Sequence, residues 1–269
     1  MDDASGPECD ERSVGLTATY GNAVTLGYTR PPIVEAVLEF RTNDAIPLAQ
    51  VDKMRVSLKK RFPNEEEFKN YNVKLDFDSG SASIDAAFVG YKLSDDDRLN
   101  VRLVNTQHFT ISRLAPYLGW NSFIADGRDE LATWKRLALG RRTLSRIGVR
   151  FINRVDIPLQ SNGLFDLDDY FKLSITVPQP PFGPLRQFSS HVEGGIGEGA
   201  NLCGVNVNYS SAPSPLVAHS SFLLDIDVFR EDGIPSNDDE LWELVGLLRD
   251  HKNAVFESLI TDRTRALFQ

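Results

Sequence analysis

The sequence predicts an α+β protein in which two related halves, each of the form β-α-β4-α, share one curved antiparallel sheet with helices on its convex face. Two stretches, Ile33–Arg41 (IVEAVLEFR) and Gly148–Asp156 (GVRFINRVD), align without gaps, and both alternate apolar with polar residues. Each stretch is followed by several short strand patterns and then by one long amphipathic helix pattern. These observations indicate one structural unit that is used twice in the chain.

The first half begins at Pro31-Pro32, a pair that favours an extended entry into the first strand. A helix is predicted from about Pro47 to Phe62, because a proline is tolerated in a first helical turn and Pro63 ends the helix. Its predicted buried stripe has helical spacing and consists of Leu48, Val51, Met54, Leu58 and Phe62.

Four strands and a second helix complete the first half. The strands are marked by alternating apolar residues and separated by turn residues, among them Asp78-Ser79-Gly80. The apolar positions of the four strands are, in order, Val73, Leu75 and Phe77; Ile84, Ala86 and Phe88; Leu99, Val101 and Leu103; and Phe109 and Ile111. The helix is predicted from about Ser122 to Leu139, and Gly140 ends it.

The second half begins with a long strand, Leu144–Ile157. The short region Leu164–Phe171 stands where the first half has a full helix, and the stiff loop 178–184 (PQPPFGP) follows it. Strands are then predicted near Arg186–Glu193, Asn201–Tyr209 and Leu216–Phe229. The closing helix is predicted to begin at Ser236, whose hydroxyl is a favourable N-terminal cap. Its predicted buried stripe consists of Leu241, Leu244, Val245, Leu248, Val255, Phe256 and Leu259.

An approximate two-fold relation between the halves would place their first strands antiparallel at the centre of the sheet. In that arrangement Val37 lies near Ile152, Glu35 lies opposite Arg154, and Glu39 lies opposite Arg150. Opposite charges across a strand pair contribute about 0.2–1 kcal/mol each. Their predicted role is therefore to set register and pairing specificity.

Composition bounds the class of protein. The chain has 269 residues and a net charge of -9, which argues against a general binder of nucleic acid or anionic membranes. We predict one compact body with an acidic, flexible N-terminal arm (1–28) and two halves (29–143 and 144–269). The scarcity of cysteine predicts a cytoplasmic protein, and no apolar stretch is long enough to span a membrane.

Three segments resemble the signatures of a sporadically distributed bacterial family of uncharacterised proteins of about this length. They are PPIVEAVLEF (31–40), GVRFINR (148–154) and FESLITD (256–262). The resemblance implies an accessory gene of the kind that mobile elements carry, and it implies no catalytic residues. Separately, the predicted order of elements resembles that of the TATA-binding protein, which is a similarity of fold order alone.

The polar face of the predicted sheet is the candidate binding surface. Alternation assigns Arg102, His108, Arg150 and Arg154 to this face, and arginine suits planar anions such as carboxylate or phosphate. An alternative interpretation is a metal site formed by Asp225, Asp227, His219 and His191, since carboxylates with imidazoles suit zinc, iron or manganese. A solvated sheet face with weak ion pairs explains the same residues without any ligand.

The favoured functional hypothesis is a non-enzymatic binding or regulatory module of an accessory bacterial system, of the mobile-element or defence kind. It would recognise a partner protein or a small anionic ligand on the polar face, and no cofactor is predicted. Two alternatives stay open: a metal-dependent hydrolase or nucleotide-processing enzyme that uses the aspartate and histidine group, and a nucleic-acid binder by analogy with the saddle fold. A homodimer is also compatible with the sequence.

Overall fold

The computed structural model describes residues 27–76, 81–173 and 187–269. Nearly all of the predicted N-terminal arm, the turn at 78–80 and the proline-rich loop at 178–184 lie outside the described residues. The described chain is a mixed α+β structure with one large antiparallel sheet.

The first half has the predicted order of elements. They are β1 (Ile33–Thr42), α1 (Leu48–Leu58), β2 (Asn64–Asp76), β3 (Ser81–Ser94), β4 (Asn100–Asn105), β5 (His108–Leu114) and α2 (Trp120–Trp134). In α1, Val51, Met54 and Leu58 are buried as predicted, whereas Leu48 at the first position is 47% exposed. Helix α2 continues through a π-helical turn, Lys135–Leu139, and ends at Gly140, which has a positive φ of 61°.

The second half departs from the predicted repeat. Its elements are β6 (Leu144–Pro158), β7 (Ser189–Ile196), β8 (Cys203–Ala212), β9 (His219–Arg230), α3 (Asp238–Leu259) and α4 (Asp262–Ala266). The short region that was predicted in place of a full helix, Leu164–Phe171, forms turns and one isolated bridge, whereas α4 was not predicted. The cap of α3 is Asn237 and not Ser236, because the Asn237 side chain accepts hydrogen bonds from the backbone N–H groups of Asp239 and Glu240.

The nine strands form a single sheet in the order β2-β3-β4-β5-β1-β6-β9-β8-β7, and all the paired strands are antiparallel. Strands β1 and β6 therefore pair at its centre, which confirms that part of the prediction. The predicted register is wrong by two residues, since Val37 pairs with Arg150 and Glu35 pairs with Ile152. A shift of two residues keeps every side chain on its own face, so apolar alternation cannot distinguish the two registers.

One face of the sheet packs against the helices and forms the hydrophobic core. Ala36, Leu38 and Phe40 of β1 are fully buried there. Their partners on β6 are all apolar, as are the β5 partners of Leu38 and Phe40. From α3, Leu241, Val245 and Leu248 are fully buried, as the helical stripe predicts, and the core joins residues of both halves. No helix among the described residues is both long enough and apolar enough to cross a membrane.

Candidate functional site

The face of the sheet opposite the helices carries most of the charged strand residues, and we call it the polar face. On β1 it comprises Glu35, Val37, Glu39 and Arg41. The strand register extends it across the sheet, because residues paired between neighbouring strands lie on the same side. The polar-face residue of β6 nearest the centre, Arg150, lies between Val37 of β1 and Asp227 of β9.

A network around Arg146 occupies the centre of the polar face. The Arg146 guanidinium binds the carboxylate of Glu39 on β1 and lies 2.6 Å from Oδ2 of Asp227 on β9. It also stacks over Phe229, 4.2 Å from the ring centroid. Gly148 makes room for it, since a Cβ at this position would lie 2.7 Å from Nη1 of Arg146. The network thus ties three central strands together.

The predicted ligand-binding arginines Arg150 and Arg154 lie on the polar face, but each is paired with an acid. Arg150 donates two hydrogen bonds of 2.7 Å to the carboxylate of Asp225, and this contact raises the pKa of Arg150. Arg154 lies 3.2 Å from Oδ2 of Asp156. Since four residues of a strand span roughly 13 Å, the two arginines do not form one anion site.

His108 and Arg150 line one depression in the polar face, with a volume of about 360 Å³. Its apolar lining is formed by Val37, Phe68, Val101 and Leu103, and charged and hydroxyl side chains from neighbouring strands lie beside them. Charged residues at its rim are Glu35, Glu39, Arg41, Lys92 and Asp227.

His108 is the titratable imidazole of this depression. Nδ2 of Asn105 lies 2.7 Å from Nε2 of His108, and an amide N–H in that position requires the ring nitrogen to be an acceptor. Burial lowers the pKa of His108, and the nearby Arg41 guanidinium acts in the same direction while Glu39 opposes it. The imidazole is therefore neutral at pH 7 and supplies no cation for an anionic ligand.

The prediction that Arg102 lies on the polar face is wrong. Arg102 points into the helix-covered side, is 2% exposed, and forms two hydrogen bonds with the carboxylate of Glu130 on α2. It also donates to the carbonyl oxygen of Ser112 and stacks over Phe62 at 4.5 Å. The apolar residues Val101 and Leu103, which flank it in sequence, consequently lie on the polar face.

The four residues of the alternative metal site are not brought together. Asp225 pairs with Arg150 and Asp227 with Arg146, while His191 contacts Asn208 and Glu193 on the outer strands. His219 is six residues from Asp225 along β9, roughly 20 Å away. Across residues 27–76, 81–173 and 187–269, no group of three His, Cys, Asp or Glu side chains is arranged to hold a metal ion.

Within the described residues, the centre of the polar face does not have the basic character of a nucleic-acid surface. Its central arginines are all engaged by carboxylates, and the chain carries a net charge of -9. Proteins that bind phosphate backbones need uncompensated lysine and arginine side chains. Comparison of the sequence with protein-family models and with curated proteins finds no match to either.

Sequence reasoning missed Arg146, the residue with the most ion-pair contacts on the polar face. The signal was present, because Arg146 is in phase with Arg150 and Arg154 along β6. It also missed Lys252, whose position on α3 falls among the residues of the apolar stripe. A lysine in a buried stripe is an exception to the usual exposure of this residue type.

Proposed function

We propose that this protein is a non-enzymatic binding module that recognises a partner protein through the polar face of its sheet. The observation that carries the proposal is the depression beside the Arg146 network. It combines an apolar lining, formed by Val37, Phe68, Val101 and Leu103, with a charged rim. An apolar centre within a polar rim is the arrangement found in protein–protein interfaces.

The ion pairs favour a protein over a small anion as the partner. Arg150 and Arg154 are held by Asp225 and Asp156, so an incoming anion would have to displace a carboxylate from each guanidinium. Charges of both signs, held at set positions by cross-strand ion pairs, instead suit a partner with a complementary pattern of charge. This charge pattern would provide specificity, and the apolar depression would receive a side chain of the partner.

The sheet order supports a second part of the proposal, that the halves derive from one duplicated unit. Strands β1 and β6 pair antiparallel at the centre, and each is flanked on its outer side by an antiparallel meander, β5-β4-β3-β2 and β9-β8-β7. The resemblance to a sporadically distributed bacterial family supports an accessory role of the mobile-element or defence kind. In that case, the genes beside this one encode the first partners to test.

A site-specific crosslinking experiment tests the binding surface. A photoreactive amino acid is placed at Leu103, in the depression, and as a matched control at Val56, which is 61% exposed on α1. Each full-length variant is irradiated with the purified products of the adjacent genes. We expect a crosslinked complex from position 103 and none from position 56.

Substitutions at the same two positions measure how much each contributes to the affinity of the complex. Leu103→Arg should weaken the complex by roughly 30-fold or more, since loss of a central interface contact typically costs 2 kcal/mol or more, whereas Val56→Arg should leave the affinity unchanged. A complex that crosslinks from position 56, or that survives Leu103→Arg with full affinity, would refute the polar face as the binding surface. Binding of nucleic acid that weakens steeply with salt would refute the choice of a protein partner.

A further inference from the structure

A second cavity lies on the other side of the sheet from the polar face. It has a volume of about 440 Å³ and is bounded by residues 27–33, the segment 117–120 and the C-terminal half of α3. Most of its wall is aromatic or aliphatic, formed by Tyr28, Ile33, Tyr117, Trp120, Phe151 and Phe256. A largely apolar cavity of this size, with a few polar groups, is typical of a small-molecule site.

Lys252 of α3 lines this cavity and is only 4% exposed. Its Nζ lies 3.9 Å from the centroid of the Phe151 ring. Within the part of the chain that the structure describes, Nζ has neither a hydrogen-bond acceptor nor a carboxylate partner. Buried lysines are normally paired, because an uncompensated ammonium in an apolar environment is costly.

The carboxylate that lines the cavity within the described residues, Glu257, is already engaged by other groups. It accepts a hydrogen bond of 2.6 Å from the hydroxyl of Tyr28 and one of 2.8 Å from Nε of Arg265 on α4. Burial and the contact with Glu257 raise the pKa of Tyr28, so its phenol stays protonated. Glu257 therefore exerts only a distant attraction on the Lys252 amine.

The other charges that face Lys252 come from its own helix. Arg249 stacks over Trp120 at 5.5 Å and donates a hydrogen bond of 2.9 Å to Asp250, which satisfies that acid. Burial, and to a lesser extent the positive charge of Arg249, lower the pKa of Lys252 to about 7, against weaker opposing effects of Glu257 and Asp250. A large fraction of the amine is therefore uncharged near neutral pH.

Tyr117, on the segment facing α3, adds no charge to the cavity. Burial raises the pKa of its phenol, and no hydrogen bond to Lys252 forms among the described residues. Its ring lies edge-on to Phe151, 5.4 Å between centroids, and closes the aromatic wall around the amine. Among the described residues that line the cavity, Lys252 supplies the amine, and most of the wall around it is aromatic or aliphatic.

We propose that Lys252 is the reactive amine of a carbonyl-binding site, which takes an aldehyde or ketone with an aromatic or branched apolar body and holds it as a reversible imine. A lysine that is desolvated in an apolar pocket, beside a second cation, has the two features that activate amines for this chemistry. Because formation of the imine is reversible, it is a mode of binding and requires no turnover.

The step is balanced without any other reactant. The lone pair of neutral Nζ forms a bond to the carbonyl carbon, and the π electrons of the carbonyl move to its oxygen. A proton passes from nitrogen to oxygen to give the carbinolamine, which then loses water as the C=N bond forms. Amine and carbonyl compound become imine and water, with no change in oxidation state. The site lies on the helix-covered side, so it is independent of the proposed partner surface.

Reductive trapping with benzaldehyde tests the proposal on the full-length chain. The protein is incubated with benzaldehyde and sodium cyanoborohydride near pH 7.5, and benzylated lysines are located by mass spectrometry of peptides. Lys53 and Lys60, which are exposed on or just after α1, serve as internal controls. We expect Lys252 to be labelled roughly tenfold faster than these controls or more, because ordinary lysines are almost fully protonated at this pH.

The pH profile and two variants complete the test. The labelling rate at Lys252 should level off above about pH 7.5, whereas the rate at an ordinary exposed lysine keeps rising through pH 9. Lys252→Met and Lys252→Arg should abolish the fast labelling, and benzyl alcohol in place of benzaldehyde should give no adduct. If a variant fails to fold, the comparison within the wild-type chain still decides. Labelling of Lys252 no faster than the controls, or a rate that rises in parallel with theirs, overturns the proposal.

Discussion

Replacing Lys252 by methionine should remove a pH-dependent contribution to stability. The pKa of Lys252 is about 7 in the folded protein and has an ordinary value of 10.5 when the side chain is exposed. Between these values the unfolded chain binds a proton that the folded protein does not. The free energy of unfolding of the wild type therefore rises with pH across this window, by up to about 1.4 kcal/mol per pH unit.

The size of the effect follows from these two pKa values. Between pH 7 and pH 9 the contribution of Lys252 to the free energy of unfolding should increase by about 2 kcal/mol. Methionine matches the length of the side chain and carries no charge, so Lys252→Met should be more stable than the wild type at pH 7, by about 1–4 kcal/mol. Its advantage should then shrink by about 2 kcal/mol by pH 9.

Urea denaturation at pH 7, 8 and 9, followed by tryptophan fluorescence, measures this difference. Taking wild type minus variant at each pH cancels the titration of every group that the substitution does not touch. Lys53→Met is the matched control, since Lys53 is exposed on α1 and its removal should leave the pH dependence unchanged. If the free energies of unfolding of the wild type and Lys252→Met change in parallel with pH, burial does not lower the pKa of the Lys252 amine.

Three further predictions concern the packing and the ion pairs. For each, the free energy of unfolding is measured by denaturant unfolding. Leu248→Ala should lower the free energy of unfolding by about 2–5 kcal/mol, because Leu248 is fully buried in α3. A negligible change would mean that the apolar stripe of α3 does not form the core. Arg146→Met should lower the free energy of unfolding by roughly 3–5 kcal/mol, since it removes the ion-pair partner of the largely buried Asp227 and leaves Glu39 paired with Arg41 alone. Arg154→Met, on the more exposed part of β6, should cost less than about 1 kcal/mol. Similar values for both variants would contradict the central role of Arg146. Arg102→Leu should lower the free energy of unfolding by roughly 3–5 kcal/mol, because it leaves the buried Glu130 carboxylate without Arg102. Adding Glu130→Leu should restore most of that stability. A double variant no more stable than the single one would refute the role of the buried pair.

Local patterns predicted much of the fold. Periods of 3.6 and 2 residues located α1, α2, α3 and the strands of the first half, because each element shows one apolar side. The similarity between Ile33–Arg41 and Gly148–Asp156 correctly predicted that β1 and β6 pair at the centre of the sheet. The sequence also predicted that Leu164–Phe171 replaces a full helix in the second half, and the structure has turns and an isolated bridge there, with Phe171 packed in the core.

The candidate site was only partly predictable from the sequence. Alternation placed Arg150, Arg154 and His108 on the polar face, but it does not determine which residue each side chain meets. In the observed register Arg150 forms an ion pair with Asp225 instead of Glu39, and Arg146 forms one with Glu39. A register shift of two residues costs nothing in apolar pattern, so long-range packing decides between the two arrangements.

By itself, the sequence determined which residues share a side of each helix and strand, because that depends only on backbone geometry. The tertiary structure decided which side is covered. In β4 both sides contain apolar residues, and Arg102 turns inward because Glu130 of α2 is there to pair with it. Lys252 lies on the buried side of α3, and among the described residues its amine has no carboxylate partner, since Tyr28 and Arg265 already hold Glu257. Such partners come from distant parts of the chain, and only the folded arrangement brings them together.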